Sequence, residues 1–256
     1  MRFYGADMPA ERAAALAVVR EQMLAVEAHR RNGKTGAMST GWGAIDRALP
    51  EGGLRLGAVH ELIGLCPPEG AVALRWSPPL SVLVHLAARS VRGTPRRVAW
   101  IGRSVWPSLH ALAAAGEGGF ADRSLLIDAP DAPTRWWAID ASLRAAGVVV
   151  VADGTGMDLA ASRRLQLAAE AGGSLGLVTR PHAEANAISA AWSRWVVQRV
   201  RGGQSKPRWS IRLARRKGVP APSLSDRRFV LELADGRVVD VSADVRRGLG
   251  AAAATA

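Results

Sequence analysis

Residues 58–71 read Ala58-Val59-His60-Glu61-Leu62-Ile63-Gly64-Leu65-Cys66-Pro67-Pro68-Glu69-Gly70-Ala71. An apolar run of strand type delivers the chain to Gly64, where a phosphate-binding loop would open. A working loop reads G-x-x-x-x-G-K-[ST]. Its backbone N–H groups and Lys hold the phosphates, and its hydroxyl holds Mg²⁺. Here Gly70 stands in the place of the Lys and Ala71 in the place of the Ser or Thr. Gly64, Glu69, Gly70 and Ala71 therefore mark a degenerate phosphate loop. Pro67 and Pro68 degrade it further, because proline has no N–H to offer a phosphate.

Working outward, the chain alternates helices and strands. An amphipathic helix is expected over residues 9–31, with Leu16, Val19, Met23 and Val26 along one stripe. A polar connector follows. Beyond the loop come a helix at 82–92, a strand at 96–102, a helix at 109–115, a strand at 124–129 and a helix at 134–146. They lead to Gly147-Val148-Val149-Val150-Val151-Ala152-Asp153, the most apolar strand of the chain. A helix at 162–171 and a strand at 174–180 continue the alternation. Strands that are continuous apolar runs, separated by helices, predict a mainly parallel sheet flanked by helices. The pattern then changes. Residues 195–200, 208–214, 229–233 and 237–241 alternate apolar with polar or basic residues, and Ala234-Asp235-Gly236 is a hairpin turn signal. These read as C-terminal antiparallel strands. The expected organisation is an N-terminal helix and connector (1–37), an α/β core (38–233), and a last strand and tail (234–256).

The 256 residues carry a net charge of +12. Much of it is concentrated: no acidic residue stands between Glu184 and Asp226, while Arg194, Arg199, Arg201, Lys206, Arg208, Arg212, Arg215, Arg216 and Lys217 do. Such a region favours a polyanion, nucleic acid first. All of these cations but Arg194 form the candidate DNA surface. The competing reading is a solvated face in an Arg-rich composition, since only Lys34, Lys206 and Lys217 are lysines. The single cysteine, Cys66, excludes an internal disulfide framework. No run approaches the roughly 20 apolar residues of a membrane span. With no signal segment at the N-terminus, a cytoplasmic location is expected. No catalytic constellation, metal site or cofactor is expected, and His60 and Glu61 lack further ligands at useful spacing. Trp136 and Trp137 are adjacent on a helix, so both cannot face one core. With Leu16, Val19 and Met23 they are candidates for docking a partner. Trp192, Trp195 and Trp209 suit either base stacking or a buried strand face.

Taken in order, these features resemble the RecA core. The Val148–Val151 run ending in Asp153 is similar to a Walker B strand, whose aspartate would orient Mg²⁺. After the 98–101 strand, where RecA carries a catalytic glutamate, stand Gly102 and Arg103. The segments in the place of RecA's DNA loops, 154–159 and 181–193, are short. The resemblance thus implies a RecA-like scaffold without ATP hydrolysis. Within that group the chain is identified as a member of the ImuA family. The residues that carry this are Ser39-Thr40-Gly41, Ala44-Ile45-Asp46-Arg47-Ala48-Leu49-Pro50, Gly52-Gly53-Leu54, Gly57-Ala58-Val59-His60-Glu61-Leu62, Asp128-Ala129-Pro130-Asp131 and Trp136-Trp137-Ala138-Ile139-Asp140. The likeness implies a non-catalytic accessory protein of damage-induced, error-prone translesion synthesis. Its implied partners are ImuB, a Y-family polymerase homologue, an error-prone replicative-type polymerase, RecA, and DNA. Two other readings stay open: a SulA-like inhibitor that binds the tubulin-like division protein, and a residual ATP-binding protein.

Overall fold

Strand β6 (Val148–Asp153) buries Val149 and Val151 in one apolar cluster and Val150 and Ala152 in another. A strand covered on both faces needs helices on both sides of its sheet, and the fold supplies them. A computed structural model describes residues 36–64, 76–115, 119–200, 206–218, 228–234 and 236–243. The expected helix at 9–31, with Leu16, Val19 and Met23, lies outside the described residues. So do Glu69, Gly70, Ala71 and Arg201.

The main sheet has nine strands in the order β11-β10-β9-β8-β3-β7-β6-β4-β5. These are β3 (Ala58–Ile63), β4 (Arg97–Ile101), β5 (Ser124–Ile127), β6, β7 (Leu175–Arg180), β8 (Ser193–Val200), β9 (Arg208–Arg216), β10 (Arg228–Ala234) and β11 (Arg237–Asp240). Strands β3 to β8 pair in parallel, and β8 to β11 pair antiparallel. The fold is therefore α/β, with a mostly parallel mixed sheet that its C-terminal antiparallel strands extend. A two-stranded ribbon of β1 (Ala37–Met38) and β2 (Leu54–Arg55) precedes β3, with helix α1 (Gly43–Ala48) between them.

Helices α1, α2 (Leu80–Val91) and α3 (Leu109–Ala115) cover one face through Ile45, Leu83, Leu86 and Leu112. On the other face lie α4 (Ala132–Arg144) and α5 (Leu159–Gly172), through Ile139, Leu143 and Leu165. Both of these helices begin earlier than their apolar periodicity suggests, because an aspartate caps each. Asp131 accepts the Thr134 N–H at 2.8 Å and Asp158 accepts the Ala161 N–H at 2.7 Å. The two helices pack closely at their ends: a Cβ on Gly172 would stand 2.0 Å from the Leu143 carbonyl oxygen.

His60 pins the ribbon to the sheet. Its Nε2–H donates to the Arg55 carbonyl at 2.9 Å. Nδ1 then accepts from the Ser193 hydroxyl at 2.6 Å, and Ser193 Oγ in turn accepts the Trp195 indole N–H at 2.8 Å. This network is complete only with a neutral imidazole. Burial lowers the His60 pKa to about 4 from 6.5, against the weaker upward pull of the Arg55 carbonyl and Glu51. Between those values the unfolded chain binds a proton that the folded chain excludes. The contribution of His60 is full above about pH 6.5 and is lost as the pH falls toward 4. At 1.36 kcal/mol per unit it amounts to about 3 kcal/mol. Urea unfolding between pH 7 and about 4.5 should show this loss in the native chain and a shallower slope in His60→Gln. Equal slopes would mean that another group titrates.

Candidate functional site

The carboxyl ends of the parallel strands are where an α/β fold of this kind binds its ligand. At the end of β3, the Gly64 N–H donates to the Arg180 carbonyl at 2.7 Å. A Cβ on Gly64 would stand 2.8 Å from the Trp76 ring and 2.9 Å from the Ser77 carbonyl oxygen. Close packing on the chain itself is thus what Gly64 permits. Helix α2, which follows, is preceded by Pro78-Pro79 and has no side-chain cap. Its first N–H, of Leu80, donates to the Pro78 carbonyl at 2.8 Å. Phosphate binding at a helix N-terminus draws on free first-turn N–H groups. Here two of the neighbouring positions are prolines and one donor is already engaged.

Asp153, at the end of β6, is also engaged. One carboxylate oxygen accepts the Ser104 hydroxyl at 2.7 Å and the other the Thr155 N–H at 2.9 Å. Arg135 donates to the Thr155 carbonyl at 2.9 Å and holds the same loop. Gly102 has a φ of +92°, and a Cβ there would come 3.1 Å from Asp153 Cβ. Arg103 points away and forms an exposed pair with Asp128. Asp153 therefore ties the loop after β4 to the loop after β6. Among the described residues no cluster of His, Cys, Asp or Glu could hold a metal ion.

The basic stretch does not form one surface. Arg199, Lys206 and Lys217 are exposed and Arg212 is half-buried. Arg208 pairs with Glu232. Arg216 is buried against Glu51, and its guanidinium stands 5.7 Å from the Trp192 ring. Arg55, at 4.1 Å, and Lys217, at 5.7 Å, stand over the same ring. Arg215 turns inward and donates to the Ala191 carbonyl at 2.6 Å. Arg215 and Arg216 thus serve as ties within the fold. Trp195 and Trp209 lie in the core, as the strand-face reading has it. Arg212 is in register with Arg228, a cation directly opposite a cation across β9 and β10. On α4, Trp136 is half-buried and Trp137 is 70% exposed, and the two line a shallow hollow with Asp140 and Arg164.

A buried ionic cluster lies beneath the connection from β7 to β8. The Glu61 side chain is wholly buried. Arg180 donates to one of its oxygens at 3.1 Å and Arg194 to the other at 2.6 Å. Arg180 also bonds Glu184 at 2.7 Å and the Met157 carbonyl at 2.7 Å, and Arg194 bonds the Ala185 carbonyl at 2.7 Å. Glu184 accepts the Gly156 N–H at 2.9 Å. Burial lowers the pKa of nearby Arg215, with Glu61 opposing that shift and Arg194 adding to it. Sequence reasoning noted only that Glu61 lacks further ligands at useful spacing, and missed this cluster. The one available signal was an acid inside an otherwise apolar strand, which demands a buried cation.

No family model matches the chain. Over 205 residues it is 31% identical to Protein ImuA of Caulobacter vibrioides strain NA1000 / CB15N, covering 72% of this chain and 80% of that protein. It stands in the same relation to Protein ImuA of C. vibrioides strain ATCC 19089 / CIP 103742 / CB 15.

Removing one partner from a buried ion cluster leaves the others uncompensated, at a cost of about 3–5 kcal/mol. Glu61→Gln keeps the volume and removes the charge. Denaturant unfolding should show a loss of that size, and a loss under about 1 kcal/mol would mean that water already solvates the two arginines.

Proposed function

Because this chain belongs to the ImuA family, we propose that it acts as a non-catalytic accessory protein in damage-induced, error-prone translesion DNA synthesis. In this reading it holds an ImuB-like polymerase homologue within an assembly that includes an error-prone replicative-type polymerase and RecA. The observation that carries the reading is the state of the strand ends. Pro78-Pro79 stand before the helix on which a phosphate would sit, and both oxygens of Asp153 are occupied by Ser104 and Thr155. ATP hydrolysis needs a phosphate cradle and a free metal-orienting carboxylate. Kinship with RecA accords with the sheet: the degenerate loop follows a central strand, and the aspartate ends a strand two places away. The segments in the place of DNA loops are tied to each other through Gly156, Glu184 and Arg180. That favours a fixed scaffold over mobile strand-exchange loops.

Affinity capture with the tagged chain from DNA-damaged cells should recover a Y-family polymerase homologue, with a yield that added Mg-ATP leaves unchanged. Recovery of the tubulin-like division protein without any polymerase homologue would replace this reading with division inhibition. An ATP-dependent yield would mean a working nucleotide site.

DNA binding in this scheme falls to Arg212 and Arg228, with Arg199, Lys206 and Lys217 beside them in the chain order of the basic strands. Directly opposed like charges destabilise a sheet unless an anion lies between them, and neither guanidinium has an ion pair or hydrogen bond among the described residues. Binding of a single-stranded oligonucleotide should weaken steeply with salt. The double variant Arg212→Ala/Arg228→Ala should reduce both the affinity and the salt slope, the slope falling by roughly one for each phosphate that is no longer neutralised. An unchanged slope would remove this pair from the interface.

A further inference from the structure

A groove of about 1520 Å³ runs between α2, α3 and the end of the β10–β11 hairpin, on the face of the sheet away from α4 and α5. It lies apart from the Asp153 loops and from the Glu61 cluster. Pockets for small molecules measure roughly 300–1,000 Å³, so this one is large for such a ligand. A helix about 10 Å across, rising about 1.5 Å per residue, would fill it with about three turns.

The chemistry of the groove is one-sided. Leu80, Val84, Phe120 and Val238 give it apolar walls. Among the described residues five arginines and one acid, Asp240, line it; Arg123 is spent on the Val91 and Thr94 carbonyls, whereas exposed Arg47 and half-buried Arg89 have no ion pair among the described residues. The walls are fixed in place. Trp42 stacks on His85 at 4.4 Å and donates its indole N–H to the Val238 carbonyl at 2.9 Å, and His85 bonds the Thr40 carbonyl at 2.8 Å. At the hairpin turn a Cβ on Gly236 would meet Ala114 of α3 at 3.4 Å, so the two walls close on each other there. Burial lowers the His85 pKa, and the charges of Arg89 and Arg92 lower it further, as a positive field in the groove would.

We propose that this groove is the docking site for an acidic amphipathic helix of a partner protein. The apolar side of such a helix covers the walls, and its carboxylates meet Arg47 and Arg89. A nucleic-acid strand would satisfy the arginines and leave the apolar walls uncovered, so an acidic peptide fits better. The proposal deepens the accessory-protein reading and rests on it only for the existence of a partner. A peptide test needs no partner, so the two readings can fail separately.

The probe is a fluorescein-labelled peptide of about 14 residues, with Leu on one helical face and Glu elsewhere, followed by anisotropy. It should bind the full chain saturably, and a Leu/Lys peptide of the same pattern should not. Arg47→Glu with Arg89→Glu should weaken the complex by about tenfold or more at an unchanged unfolding midpoint. Ala111→Trp, which fills the groove without changing its charge, should also abolish binding. Equal binding of the two peptides, or indifference to both variants, would overturn the proposal. Displacement of the peptide by a tighter-binding oligonucleotide would reassign the groove to nucleic acid. A dimer of the chain that the peptide dissociates would reassign it to a second copy.

Discussion

The carboxylate of Glu61 is the group on which the arrangement of the sheet depends. A buried, unpaired carboxylate is too costly for a folded chain to keep, so cations must reach it. They come from the strands on either side: Arg180 ends β7 and Arg194 opens β8. Glu61 faces Arg194 directly in the parallel register of β3 with β8. The positions of three neighbouring strands are thus coupled to one side chain. The same requirement reaches beyond the sheet. Arg180 has donors left over, which engage Glu184 and the Met157 carbonyl, and these draw in the loops that follow β6 and β7.

That coupling changes the meaning of the basic stretch. A run of cations without acids reads as an electrostatic surface, yet Arg194 and Arg216 are buried and Arg215 bonds a backbone carbonyl. Much of the local positive charge answers Glu61 and Glu51. The end of the sheet opposite the hairpin follows a similar logic. Asp153, at the carboxyl end of β6, gives both of its oxygens to Ser104 and Thr155. Polar groups of the kind that serve ligands elsewhere hold loops in place here.

How much of this was legible in the sequence depends on the range of the interaction. Val148 to Asp153 announced a strand buried on both faces, because burial of consecutive side chains is written in consecutive residues. The alternation of Trp209, Ile211 and Leu213 likewise marked a core face. The starts of α4 and α5 were readable in principle, since Asp131 and Asp158 are capping residues, but apolar periodicity alone placed them late. Strand order left no local trace. Neither did the pairing of Glu61 with arginines 119 and 133 positions away. The paired strands β1 and β2 are two residues each, too short for any periodicity to appear. The arginine-lined groove draws on α2, α3 and the terminal hairpin, so its charge imbalance shows only when distant segments meet.

The central place of β3 also bears on how the chain comes into being. This strand leaves the ribosome early, while β7 and β8, which flank it, are encoded more than a hundred residues later. At roughly 5–20 residues per second, the gap lasts on the order of ten seconds. Throughout that time Ala58 to Ile63 is a nascent apolar segment whose native neighbours do not yet exist. Its histidine and glutamate are the two polar residues within that segment. They interrupt an apolar run, as the charged and polar residues that guard aggregation-prone segments do.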